Sequence, residues 1–251
     1  MNKLFYSILI FFLTAPVLAN AQDIASLQKD AEKLEITNQE LAFKKYQDIL
    51  AIQPININAL CKSSELCSSI GHRQTNNPSK IDYFRAARHF AELALRVNPT
   101  NSEANFVMAI AVGRMAMVLG GRKKIEAVNE IKKYAELSIK YDPNNFKPYH
   151  VLGKWHYEVS TLSGFERTAA KIFYGGLPPA SMKMAIYYYD KSRQLKPEFA
   201  LNYLELAKAY NQDGQKKKAI EYLTKLMTIP NSTADDPRVK EEGKKLMNAL
   251  K

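Results

Sequence analysis

Cysteine is scarce in this chain, and the spacing of its two cysteines excludes most cysteine chemistry. Cys61 and Cys67 lie six residues apart in one predicted helix, so they stand about 9 Å apart along its axis and on different faces. Both read as reduced, packed thiols that do not bond each other. Histidine is nearly as rare: His72, His89, His150 and His156 show no metal spacing, since the nearest two are six residues apart and off a common helical face. Phosphate loops, nucleophile elbows and zinc-protease motifs are absent. The sequence therefore assigns no catalytic residue, no cofactor and no metal ligand, and it reads as a non-enzyme. The lone tryptophan, Trp155, falls between groove and core positions of its helix, where packing with a satisfied indole donor is the ordinary role.

Acidic residues are outnumbered, and the formal net charge is +11. Such a chain is attracted to anionic lipid, acidic polysaccharide or acidic peptide. Nucleic acid is set aside because the basic runs are interleaved with acids and because the chain reads as exported. The first 21 residues carry Lys3, an apolar run from Leu4 to Leu13, Pro16 and the A-x-A site Ala19-Asn20-Ala21, which is the pattern of a secretory signal. Cleavage after Ala21 leaves residues 22–251 as one periplasmic or secreted domain. The apolar run is shorter than the ~20 residues that span a bilayer, and no later segment is apolar enough to do so.

Periodicity supplies the architecture. Pro54, Pro99, Pro143, Pro197 and Pro230 each follow an amphipathic helical segment, and self-similarity at this spacing means stacked helix pairs. Twelve residues before the first four prolines stand Ala42, Ala87, Ile131 and Ala185. The cleanest copy, Tyr203, Leu206, Ala207, Tyr210, Gly214, Ala219, Leu223 and Pro230, resembles the tetratricopeptide pattern. The expectation is an all-α superhelical solenoid of about five helix pairs with a C-terminal capping helix over Pro237–Ala249. Capping boxes are read at Thr37–Glu40 and Thr100–Glu103, a cap at Ser79, and a helix stop at Gly120-Gly121 ahead of a helix over Ile125–Lys140. The fourth repeat is long, with 54 residues from Pro143 to Pro197 against 45 and 44 before it. Its excess falls between Glu158 and Ala180 and reads as a loop on one face.

Within that repeat the likeness becomes specific. His150-Val151-Leu152-Gly153-Lys154-Trp155, Tyr157-Glu158-Val159, Leu162-Ser163, Glu166-Arg167, Phe173, Pro178-Pro179-Ala180, Ala185 and Leu195-Lys196-Pro197 resemble the regulator of microtubule dynamics family. The resemblance implies a tetratricopeptide-like fold, a non-enzymatic role in microtubule association or membrane-contact tethering, and phospholipid binding in some members. A secretory signal in place of an organelle anchor would remove tubulin as a partner and leave a peptide or lipid groove.

By resemblance to tetratricopeptide stacks, the groove is lined by Asn58, Cys61, Glu65 and Ser68 of repeat two, and by Glu103, Phe106, Ile110 and Gly113 of repeat three. Repeat four adds Lys147, His150, Lys154 and Tyr157; repeat five adds Leu201, Leu204, Lys208 and Asn211. Of these, Lys147, His150, Lys154, Tyr157, Lys208 and Asn211 form the candidate anion-binding part, and Phe106 and Ile110 the apolar part. The leading expectation is an adaptor for an acidic peptide or protein segment. The alternative is a carrier of phospholipid or fatty acid. Trp155 is expected to be structural, and Arg167 to pair with a carboxylate from another helix. N-terminal sequencing of the exported protein should begin at Gln22, and a mature form that keeps Met1 in a membrane fraction would overturn the signal reading.

Overall fold

The computed structural model describes residues 23–118 and 121–251, and the side chains of these except at positions 121, 122, 124, 173 and 174. The signal segment and its cleavage site lie outside the described residues. In chain order the helices are α1 (residues 23–37), α2 (Gln39–Ile52), α3 (Ile57–Arg73), α4 (Asn77–Val97), α5 (Ser102–Ala116) and α6 (Gly121–Tyr141). They continue with α7 (Phe146–Thr161), α8 (Gly164–Tyr174), α9 (Met182–Leu195), α10 (Ala200–Gln212), α11 (Lys216–Thr228) and α12 (Asp236–Ala249). No strand occurs among the described residues. The pairs are α1/α2, α3/α4, α5/α6, α7/α9 and α10/α11, with α8 inserted in the fourth and α12 closing the stack. This is the expected all-α tetratricopeptide-like solenoid.

One turn, used four times, stacks the pairs. In Gln53-Pro54-Ile55-Asn56 the proline sets the second residue of the turn, and the Asn56 amide donates to the Gln53 carbonyl at 3.0 Å. The same bond recurs from Asn101 to Asn98, Asn145 to Asp142 and Phe199 to Lys196, each at 3.2 Å. Proline also keeps the residue before it out of the helical region, which ends the preceding helix. The last residue of the turn opens the next helix. Asn56, Asn101 and Asn145 each accept a backbone amide on a side-chain oxygen, from Ala59, Ala104 and Lys147 respectively.

Asparagine, not a hydroxyl residue, also caps the helices where sequence reading placed Thr37, Thr100 and Ser79. Thr37 ends α1, and Asn38 takes the Leu41 amide. Asn101 caps α5, one residue after Thr100. Ser79 lies inside α4 and donates its own amide to Asn76. Asparagine is as good a cap as serine, and the downstream glutamate that drew attention to the threonines is not needed. Two further boundaries move. α5 ends at Ala116, and α6 starts at Gly121, so Arg122-Lys123-Lys124 lie in its first turn and not ahead of it. The excess of repeat four is not a loop throughout: Ser163 and Glu166 form a reciprocal capping box that starts α8.

Small side chains set how closely the helices of a pair approach. Ala42, Ala87, Ala185 and Ala219 on the second helices are fully buried. In the third repeat Ile131 occupies the ruler position and the small residue is opposite, at Gly113 of α5, whose missing Cβ would meet Ile131 Cδ1 at 3.6 Å. Gly113 thus faces α6. A close crossing is that of α7 on α9, where a Cβ on Gly153 would stand 2.5 Å from Cδ1 of the fully buried Tyr189 ring. Cys61 and Cys67 are unbonded and buried, and burial pushes both thiols up to about 12. Trp155 is structural, as expected: its indole donates to the Val128 carbonyl at 2.8 Å and ties α7 to α6.

Gly153→Ala and Ala185→Leu should each cost ~1 to 3 kcal/mol by forcing the buried helix crossing apart. Thermal melts should show a loss of roughly 2 to 4 °C per kcal/mol, and an unchanged melting temperature would overturn this register.

Candidate functional site

Successive first helices touch: α3 meets α5, α5 meets α7, α7 meets α10, and α10 meets α12. Among the described residues no comparable packing joins successive second helices, which meet only through side chains such as Arg88 of α4 with Glu130 of α6 at 3.7 Å, so these fan outward and the first helices form the concave face. Charge follows the same division. α3, α5, α7 and α10 each balance acids and bases within one charge, whereas α4, α6, α9 and α11 each carry two or three more bases than acids.

The concave face is a ladder of ion pairs. At one end the Glu35 carboxylate of α1 takes the Lys62 ammonium at 2.8 Å. In the middle Lys147 is held between two carboxylates, Glu103 at 2.5 Å and Glu65 at 3.2 Å. Its ammonium lies 4.9 Å from the centre of the Phe106 ring. Burial alone would lower the Lys147 pKa, but the two glutamates outweigh it and raise the value above the ordinary lysine range. At the other end Lys154 and Lys208 share one carboxylate, with Glu205 Oε2 2.8 Å from Lys154 and Oε1 2.7 Å from Lys208. Glu205 is only 8% exposed at its side chain. Burial pushes its carboxyl up, yet the two ammonium groups together hold it below the usual carboxylate range. Each lysine has one further partner at the rim: Glu158 at 2.9 Å from Lys154, and Glu242 of α12 at 2.7 Å from Lys208. Those outer acids are 59% and 44% exposed.

The residues expected to form one basic patch are therefore divided. Lys154, Lys208 and Tyr157 come together, with the Lys154 ammonium 5.5 Å from the Tyr157 ring centre. Asn211, half-buried, follows one turn after Lys208 on α10. Lys147 belongs to a separate cluster in which two acids face one base. His150 is turned into the seam between α7 and α10 and does not line the groove. Asn202 donates its amide to the Tyr189 carbonyl at 2.8 Å, which leaves its oxygen to accept from His150 Nδ1 at 2.9 Å, and burial lowers the His150 pKa. Phe106 is buried under Lys147, and Ile110 is half-buried against the apolar core that contains Phe106, so neither presents an open apolar acceptor. Cys61, Ser68 and Leu204 are buried in the core and not on the groove. Among the described residues Arg167 pairs with no carboxylate from another helix; its guanidinium donates to the carbonyls of Val159, Ser160 and Leu162 and closes the end of α7.

Sequence reasoning missed Glu205, Glu158 and Glu242. Glu158 is four residues after Lys154, a helical neighbour that was legible. The Lys154–Glu205 contact joins residues 51 apart, which periodicity alone does not bring together. Elsewhere, a surface pocket of about 260 Å³ opens between α2, α3 and α4 beside Phe43, Cys67 and Tyr83, away from this ladder. Among the described residues no three His, Cys, Asp or Glu side chains converge as a metal site needs, and no helix is long and apolar enough to cross a membrane.

The shared carboxylate makes the two half-buried lysines structural as well as accessible from the groove. Lys154→Glu with Lys208→Glu should cost more than ~3 kcal/mol, because it leaves a buried carboxylate among like charges, whereas Glu158→Ala should cost less than ~1 kcal/mol. Equal losses in denaturant titrations would contradict the geometry. The depressed Glu205 carboxyl adds stability that is full at neutral pH and is lost as pH falls from its ordinary value of 4.5 through its lower folded value.

Comparison with known proteins places this fold. Among solved structures, a thermophilic TPR protein from Thermus thermophilus superposes with a TM-score of 0.66 at 11% identity, covering 87% of this chain and 98% of that one. The pilF protein of Pseudomonas aeruginosa superposes at 0.56 with 12% identity, covering 92% and 90%. By sequence the chain is 26% identical to human regulator of microtubule dynamics protein 2 over 178 residues, 70% of this chain and 43% of that protein. It is 29% identical to regulator of microtubule dynamics protein 1 of Bos taurus over 165 residues, 65% of this chain and 52% of that protein. The matched region thus spans about half the length of these curated relatives. The model of the regulator of microtubule dynamics protein 1-3 family matches residues 23–251, from the first described helix to the last residue, and the chain belongs to that family.

Proposed function

We propose that the protein is a non-enzymatic adaptor, exported after cleavage at Ala21, whose concave face takes an acidic polypeptide segment at Lys154 and Lys208. The observation that carries this reading is the asymmetry of the cluster. Two ammonium groups share one buried carboxylate, while their outer partners, Glu158 and Glu242, sit exposed at the rim. Exposed ion pairs are weak, at ~0 to 1 kcal/mol, so an incoming carboxylate can replace either outer glutamate at small cost. With both outer acids swung away, the shared core holds two positive charges against one negative. Lys147 offers no such exchange, since both of its acids are drawn in around it. The net positive charge of the whole chain steers an acidic segment toward the stack before contact, and the Tyr157 ring beside Lys154 supplies apolar surface for the adjoining residue.

A fluorescein-labelled decaglutamate peptide is a suitable probe. Lys154→Ala, which leaves Glu205 paired with Lys208, should weaken its binding about tenfold, the equivalent of ~1.4 kcal/mol. Glu158→Ala with Glu242→Ala should tighten it several-fold by unmasking both lysines. Tighter binding of decalysine than decaglutamate, or indifference to all of these changes, would overturn the proposal.

A further inference from the structure

The geometry points to a second interaction surface, outside the groove: the edge of the stack where first helices end and second helices begin docks on an anionic lipid bilayer, with α8 resting its apolar side in the interface. α8 is the starting observation. It buries Ala170 and packs against α6, yet it leaves Phe165 83% and Ile172 69% exposed. These two stand seven residues apart, two helical turns, and so share one face. Among the described residues nothing covers that face, and the charged Lys171 beside it is exposed.

The position of α8 gives the pair its neighbours. An insertion between α7 and α9 emerges at the edge where every first helix hands over to its partner. The same edge therefore holds the starts of α6, α9 and α11. Arg122-Lys123-Lys124 open α6, Lys183 lies in the first turn of α9, and Lys216-Lys217-Lys218 open α11. Lys123, Lys183 and all three lysines of α11 are exposed. Cations at a helix start oppose its dipole, so helix stability does not account for their placement. Glu126, Glu166 and Asp213 stand among them and offset only part of the charge.

Two apolar tips set among cations on several helices match a membrane surface better than a protein. A specific protein interface needs a packed apolar core within about 800 Å² per partner, whereas the charge here is spread along the stack. A bilayer interface accepts isolated apolar side chains, and its anionic headgroups attract lysine and arginine without fixed geometry. Charge complementarity therefore selects an anionic lipid surface as the occupant.

Co-sedimentation of the purified protein with vesicles of phosphatidylcholine and phosphatidylglycerol, against phosphatidylcholine alone, tests this. Binding should require phosphatidylglycerol, fall with added salt, and weaken about tenfold in Phe165→Ser with Ile172→Ser. In Phe165→Trp, emission should shift to the blue on adding the anionic vesicles, against a constant signal from buried Trp155. Lys216→Glu with Lys217→Glu leaves α8 intact and should weaken binding as well, which keeps the test open should the serine pair disturb the helix. Equal binding to both vesicle types, or an unshifted Phe165→Trp spectrum, would overturn the proposal. Salt-sensitive binding that ignores both serines would assign the edge to an acidic polymer instead.

Discussion

Close approach of the two helices in each pair is the constraint on which the remaining structure depends. Gly153 lets α7 lie directly on the Tyr189 ring of α9, and fully buried alanines do the same work in the other pairs. Because a methyl group more would separate the helices, the pair behaves as a rigid unit. Rigid units joined by identical turns stack with a constant offset, and a constant offset yields a curved surface. The concave face and its spread of charged residues follow from these small side chains.

That curvature decides which charges meet. First helices converge, so their long polar side chains reach across from one repeat to the next, and Lys147 bridges acids on α3 and α5 while Lys154 and Lys208 close on Glu205. Second helices diverge, so the ion pairs of their lysines and arginines are made largely with acids of the same helix, as in Arg88–Glu92, Lys132–Glu136 and Arg193–Asp190, and bases remain in excess there. A chain with net charge +11 thereby presents a nearly neutral groove and a basic exterior.

The insertion in repeat four is accommodated without disturbing the stack. Arg167 closes the exposed carbonyls at the end of α7, the Ser163–Glu166 box starts α8, and α9 then resumes the contact with α7 through Ala185 and Tyr189. The extra helix is thus tied by backbone capping rather than by a core of its own. This explains how it can leave Phe165 and Ile172 uncovered while the flanking helices keep their packing.

The order and pairing of helices were legible in the residues because both rest on local chemistry. Proline that follows an amphipathic segment closes that helix, as at Pro54, Pro99, Pro143 and Pro197, and an alanine at a fixed distance before it marks a close crossing in three of those repeats; Pro237, in the first turn of the terminal helix, marks its start within one residue. Family likeness was legible in the dense run from His150 to Pro197, which the family match over residues 23–251 bears out. Cap positions were less so, since threonine, serine and asparagine compete within a residue or two and backbone geometry selects among them. The groove was legible only as a set of positions. Which of those positions turn inward, as His150 does toward Asn202, and which lysine is neutralised by two acids rather than sharing one, depend on side chains brought together from 44 to 82 residues away. Helix periodicity constrains a residue's face within its own helix, but only the superhelical offset between repeats determines what stands opposite it.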